Sequence, residues 1–329
     1  MTPPAHLLLG SEQHGVTRYA GQVAGAVGAE VVRSTRWCDA VVPPDVARLH
    51  VHLTDGLLPG DPATALRWWE ELTARVPTTL TLHDVPQATD GTARLERRSA
   101  VYLRLAAAAR GVVCNSAHER SALAALGSSV DVGVVPLPVV ERALPAATGV
   151  DRPVVGLLGF VYPGKGHAEA LRAVAEVDRR RGGQTGVVAL GAVAEGHAAD
   201  VEALHVLARE LGVRFDVTGH LDDDELDRLA AQVAVPVAAH RNVSASGSVN
   251  SWLAVRRRPL VLAGAYAREV AALRPGTTTL FEDGLLADAV DAALDDPRST
   301  RLDGTTSTAP HLPDVALAYS SWWDTEVSW

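Results

Sequence analysis

Lysine and arginine together number 30 in this chain of 329 residues, and Lys165 is the one lysine among them. It stands in Gly164-Lys165-Gly166, after the apolar run 154–159, where a turn beside a strand is expected to expose it. A compact ammonium on a flexible stem is a point charge suited to phosphate in a tight space. A second candidate for anion chemistry is Ser244-Ala245-Ser246-Gly247-Ser248-Val249-Asn250-Ser251-Trp252-Leu253-Ala254, which follows a strand pattern and opens a helical one. Small residues there leave backbone N–H groups bare at a helix N-terminus, where the dipole favours an anion. The same residues also make an ordinary N-cap. Both candidates follow strands of the same half of the chain, so both are expected at one crevice, and a diphosphate is the natural guest. Ser246, Gly247, Ser248, Val249, Asn250 and Ser251 are accordingly assigned to its binding.

Histidines form the other chemical group. His83 ends a run rich in β-branched residues, 78–83, with Asp84 placed to fix its tautomer or to cap a turn. His50 and His52 alternate on one strand pattern, and these, His220 and His240 show no metal-ligand spacing along the chain, so no metal site is expected.

The elements that must position these residues alternate strand and helix from end to end. Strand patterns at 6–10, 30–33, 48–53, 78–83, 112–115 and 130–135 interleave with helical patterns at 16–27, 64–75, 92–110 and 117–126. The periodicity pauses over 143–153, a linker composition, and restarts with strands at 154–159, 186–190, 213–218, 235–239 and 260–263. Helical patterns at 168–180, 200–211, 222–232, 249–255 and 285–294 lie between and after them. Short apolar strands separated by helices imply βαβ units on parallel sheets, so the expected fold is α/β, with two Rossmann-like domains. The boundaries expected are 1–145, 152–312 and a tail, 313–329, whose Tyr319, Trp322, Trp323 and Trp329 imply docking, back on the first domain. Open parallel sheets bind ligands at the carboxyl ends of their strands, here in the cleft between the domains.

Composition excludes several classes. The net charge of -9 argues against general nucleic-acid binding. No apolar run reaches the roughly 20 residues of a bilayer span, and the first residues lack a signal-peptide pattern, so a cytoplasmic protein is expected. The half up to residue 150 is about neutral, which permits membrane association without indicating it. Cys38 and Cys114 form neither a disulfide framework nor a zinc motif and are expected to be small buried or half-buried residues. Arg256-Arg257-Arg258 and the group Arg94, Arg97, Arg98 and Arg104 are expected on solvated helix surfaces.

Five motifs in order resemble the retaining glycosyltransferases of the family-4 type, with the GT-B fold. His14-Gly15-Val16-Thr17-Arg18-Tyr19-Ala20 is similar to that family's glycine loop and first helix, and Thr81-Leu82-His83-Asp84 to its Thr-x-His-Asp strand end. Val113-Cys114-Asn115-Ser116 is similar to its Val-x-x-Ser turn, 158–166 to its Gly-Arg-x-x-x-x-Lys-Gly loop, and 241–259 to its donor-binding stretch. The resemblance implies transfer of a hexose from a nucleotide diphosphate sugar to an acceptor hydroxyl with retention, without a resident metal or other cofactor. It implies catalytic roles for His83 and Lys165, and donor contacts at Gly15 and Gly159 besides those assigned above. On the acceptor side it implies His14, Arg18, Asp84, Asn115 and Ser116, facing a sugar, a glycan or a lipid-linked acceptor.

The chain also departs from that pattern. Phe160 occupies the place of the loop arginine, and His14 stands where a second glycine is common. The two donor-site glutamates fall on Val243 and Ser251 or, one residue on, on Ser244 and Trp252. A GT-B-shaped accessory protein without catalysis is therefore an alternative reading, and a sugar-nucleotide epimerase or phosphorylase is another.

Overall fold

The computed structural model describes residues 2–142, 152–241, 243 and 245–329; residues 143–151 of the expected linker, and Ser244, lie outside them. The chain divides into two compact units, Met1–Pro138 with Pro310–Trp329, and Val139–Ala309.

The first unit opens with β1 (Ala5–Leu9), α1 (Gly15–Val27), β2 (Val31–Ser34), β3 (Leu49–Leu53), α2 (Pro62–Arg75) and β4 (Thr78–Leu82). It continues through α3 (Thr92–Ala108), β5 (Gly111–Cys114), α4 (Ala117–Ala125) and β6 (Val132–Val134). Capping sets the helix starts: His14 Nδ1 accepts the Val16 N–H, Asp61 caps α2 ahead of Pro62, and Ser116 caps α4. The six strands are parallel in the order β2-β1-β3-β4-β5-β6, which reverses direction between β1 and β3.

The second unit comprises β7 (Arg152–Leu158), α5 (His167–Arg181), β8 (Gly186–Leu190), α6 (Ala198–Leu211), β9 (Arg214–Val217) and α7 (Asp223–Gln232). It continues with β10 (Val233–Ala238), α8 (Gly247–Ala254), β11 (Leu260–Leu262), α9 (Ala265–Leu273), β12 (Thr279–Phe281) and α10 (Leu286–Asp295). Asp222 caps α7, and Asp223, Asp224 and Glu225 fill its positive first turn. Strand order is β12-β11-β10-β7-β8-β9, all parallel. The order reverses between β7 and β10, so the loops leaving those two strands flank the crevice where such sheets bind ligands. Neither α9 nor β12 is legible in the periodicity.

The last helix, α11 (Leu312–Thr325), belongs to the first unit. One face of that unit's sheet carries Leu7, Leu9, Val51, Leu53, Leu80 and Leu82, packed in one apolar cluster with Trp69, Tyr102 and Leu105. The opposite face carries His6, His50, His52, Thr79, Thr81 and His83, under Tyr19 of α1 and Tyr319 and Trp323 of α11. Trp322 lies so close to β6 that a Cβ on Gly133 would sit 2.9 Å from its indole nitrogen.

Three surface assignments are corrected. Arg98 is buried, held by Asp55, Asp84 and Asp90 at 2.8, 2.9 and 2.6 Å, while Arg94, Arg97 and Arg104 are exposed. Arg257 is 1% exposed and donates to the carbonyls of Ala231 and Ala234 and to Thr300 Oγ1, which replace its water. Cys38 is exposed; Cys114 is buried.

Candidate functional site

Lys165 sits in the loop that leaves β7, and the loop is pinned beside β8: Val161 N donates to Ala192 O at 2.9 Å, and Ala194 N to Val161 O at 3.0 Å. Gly166 then turns the chain into α5 with φ of 100°, so close to Ala239 that a Cβ would meet the Ala239 Cβ at 2.7 Å. Only glycine fits there, and the tight approach draws Lys165 inward. Lys165 is 8% exposed, a buried residue rather than the exposed turn lysine expected from sequence. Its Nζ lies 3.4 Å from Ser248 Oγ and 5.8 Å from the Tyr162 ring centroid. Among the described residues no carboxylate pairs with it. Burial pushes its pKa down to about 8.

Ser248 joins the lysine to the other candidate segment. Ser246 caps α8, accepting the Val249 N–H at 3.3 Å, and its Oγ is 3.1 Å from Ser248 Oγ. The Ser246 N–H donates to Tyr266 Oη at 2.9 Å, so α9, unseen in the sequence, fixes the entry to α8. His240, leaving β10, places Nε2 3.4 Å from Ser248 Oγ. Burial, then Lys165 and His167, keep His240 well below the ordinary imidazole range; burial, then Lys165, pushes His167 down to about 4. Both rings are thus neutral, and His167 has neither ring nitrogen hydrogen-bonded. The result is an ammonium beside two helix N-termini, α5 and α8, with the nearby Arg241 already bound to Asp283 at 2.9 Å. Such a place stabilises negative charge.

Gly159, Lys165, Ser246 and Ser248 are therefore brought together. Gly247 is exposed at the first position of α8, and Val249 and Asn250 are buried within it. Ser251 Oγ donates to Gly247 O at 3.0 Å, and Trp252 is fully buried.

In the first unit, His83 follows β4 at 7% exposure, and its Nε2 lies 3.1 Å from His52 Nδ1. Its carbonyl accepts from Tyr102 Oη at 2.7 Å, and burial, then His14, push its pKa down to about 3. It is a neutral imidazole, able to donate or accept. Asp84 adopts φ of 55° and is tied to Arg98, so its carboxylate does not face His83 as a partner. Asn115 and Ser116 are buried: Asn115 Nδ2 donates to Val135 O at 2.9 Å, and Ser116 Oγ accepts the Glu119 N–H at 2.9 Å. Glu119, overlooked in the sequence, accepts the Asp84 and Asn115 N–H groups and so clamps the ends of β4 and β5 together. Gly15 and Arg18 are exposed on α1, and His14 is half-buried at its cap. The sheet also brings His6 beside His50 and His52, a grouping invisible along one strand.

Two six-stranded parallel sheets with flanking helices, each with a strand-order reversal, define a pair of Rossmann-like units, and the fold is GT-B. Over 98% of this chain and 99% of the other, it is similar to Anabaena HepE in complex with UDP and glucose, with a TM-score of 0.73 at 16% identity. Sucrose-phosphate synthase from Thermosynechococcus elongatus is similar over 98% of this chain and 96% of its own, with a TM-score of 0.68 at 15% identity. The UDP-forming α,α-trehalose-phosphate synthase from Burkholderia xenovorans is similar over 86% and 73%, with a TM-score of 0.63 at 12% identity. No protein-family model and no curated protein matches the sequence. Among the described residues no helix is long and apolar enough to cross a membrane.

Proposed function

We propose that this chain is a glycosyltransferase moving a hexose from a nucleotide diphosphate sugar to an acceptor hydroxyl, with retention at the anomeric carbon. The observation that carries the reading is Lys165, a buried ammonium without a carboxylate partner among the described residues, beside the start of α8. Such a charge is costly until an anion neutralises it. The complexes of a fold relative with UDP and with UDP-glucose support a nucleoside diphosphate as that anion.

In this reading, charge developing on the leaving diphosphate is stabilised by Lys165, by the amides of Gly247 and Ser248 and by Ser248 Oγ. These interactions strengthen toward the transition state, and they call for no resident metal or cofactor. His83, neutral and at the end of β4, serves the reacting sugar and a sugar, glycan or lipid-linked acceptor. Front-face attack assisted by the leaving group fits a site to which we assign no nucleophile. Without donor-site glutamates the sugar hydroxyls meet neutral partners, each worth about 0.5–1.5 kcal/mol rather than the roughly 1.5–3 of a charged one.

Calorimetry with UDP and UDP-glucose tests the proposal. UDP is expected to bind nearly as well as the sugar nucleotide, Lys165→Met to weaken both, and His83→Ala to lower kcat more than nucleotide affinity. If neither nucleotide binds at millimolar concentration and a wider panel of sugar nucleotides also fails, the enzyme reading falls and the accessory-protein reading takes its place.

A further inference from the structure

We propose that His6, His50 and His52 form a binding site for one late first-row transition ion, zinc(II) or copper(I), in the core of the first unit. One ring nitrogen from each lies within 4.8 Å of the other two, and all three side chains are at least nine-tenths buried.

The register builds the group. His6 of β1 pairs directly with His50 of β3, and His52 follows two residues on, so all three project from one face of the sheet. Hydrogen bonds then decide which nitrogens carry lone pairs. His6 Nδ1 lies 3.2 Å from Pro4 O, which only accepts, so Nδ1 holds the proton and Nε2 is a lone pair. That Nε2 is buried without a hydrogen-bond partner. His50 Nδ1 lies 2.8 Å from Thr79 Oγ1, whose own hydrogen goes to Leu49 O, so Nδ1 again donates and Nε2 accepts. His50 Nε2 meets Thr81 Oγ1 at 3.0 Å, and that hydroxyl is also 3.0 Å from Tyr319 Oη, to which it can turn. His52 Nδ1 faces His83 Nε2, and His52 Nε2 is buried without a partner. An ion at the centre selects the tautomer in which His52 donates to His83.

Each ring thus has its outer nitrogen engaged by a carbonyl, a hydroxyl or an imidazole, the arrangement that orients histidine ligands and raises their basicity. Zinc–nitrogen bonds of 2.0–2.1 Å at tetrahedral angles set nitrogens roughly 3.4 Å apart, so the trio, now within 4.8 Å of one another, must close by up to about 1.4 Å. Imidazole suits zinc and copper alike. Three neutral ligands leave the ion's charge uncompensated in a buried place. That favours copper(I), with one charge and three ligands, whereas zinc(II) needs a hydroxide or a phenolate as a fourth. Tyr19 and Tyr319, with ring centroids 5.2 and 5.9 Å from His52, are the acidic groups facing it.

The test uses the untagged full chain, stripped with chelator and titrated with zinc(II) in air, and anaerobically with copper(I) against a chromophoric chelator. One ion per chain is expected in at least one arm, with X-ray absorption showing imidazole nitrogens at about 2.0 Å. His6→Gln and His52→Gln, which remove a ligand itself, are expected to lose at least the roughly 10–100-fold in affinity that loss of a ligand's outer partner costs, and His197→Ala, at a half-exposed His–Asp pair elsewhere in the chain, to lose none. If the glutamine variants fail to fold by circular dichroism, the absorption spectrum of the wild-type chain decides alone. Failure of both ions to bind at micromolar concentration overturns the proposal, leaving water or an unsatisfied core. Oxygen-rich coordination, or binding lost in His197→Ala but kept in His6→Gln, overturns it equally.

Discussion

Replacing Lys165 by methionine keeps an unbranched apolar stem and removes the charge. Burial lowers the lysine's pKa from 10.5 to about 8, so holding the ammonium costs the fold on the order of 3 kcal/mol. Contacts offset part of this: the 3.4 Å approach to Ser248 and the cation–π contact with Tyr162 contribute about 1 kcal/mol together. Lys165→Met is therefore expected to be more stable than the wild type by about 2 kcal/mol at pH 7. Because the folded pKa lies below the unfolded one, the unfolded chain binds more protons between them. The wild type gains stability as pH rises from about 8 to 10.5, and the advantage of the variant fades over that window. Urea unfolding of both proteins at intervals from pH 7 to 10.5 measures the difference, from which titrations common to both cancel. A variant less stable by 1 kcal/mol at pH 7, or an advantage unchanged at pH 10.5, would refute the reasoning and make Lys165 a structural hydrogen-bond donor.

Three other outcomes are expected. Arg98→Met leaves Asp55 and Asp90 without their cation and is expected to cost roughly 3–5 kcal/mol in urea unfolding; a loss below 1 kcal/mol would mean that the carboxylates reach water instead. Gly166→Ala forces a methyl group against Ala239 at positive φ, with an expected cost of about 2–4 kcal/mol and weaker UDP binding by calorimetry. Trp322→Ala empties the space over Gly111 and Gly133 and is expected to cost about 3–5 kcal/mol by thermal or urea unfolding, with wild-type stability as the refuting result.

Alternating strand and helix patterns made the βαβ organisation legible, because the inner strands are short and buried on both faces, apolar throughout in β10 and alternating leucine or valine with threonine or histidine in β3 and β4. What escaped was short or depended on a neighbour. Helix α9 has nine residues and only Gly264 at its cap, so it offered no polar start signal, yet its Tyr266 holds the entry to α8. Lys165 stood out by rarity, but its burial is made by Gly166 packing on Ala239, a contact between segments far apart in the chain. Arg98 looked like one more charge on a polar helix face because its partners Asp55, Asp84 and Asp90 come from the short connections that follow β3 and β4. His6 escaped for a similar reason: parallel register, rather than spacing along a strand, sets it beside His50.

The placement of α11 in the first unit has a consequence for synthesis. The sheet face carrying His6, His50 and Thr81 receives Tyr319 and Trp323 from α11, which follows the whole of the second unit. Translation at about 5–20 residues per second leaves that face without its cover for roughly 10–40 seconds after Pro138 has been added. During that interval Tyr19, Val113 and Val135 have no α11 to pack against, while the whole of the second unit emerges. The first unit is begun before the second and completed after it, and until α11 is made the nascent chain offers an apolar, histidine-rich surface.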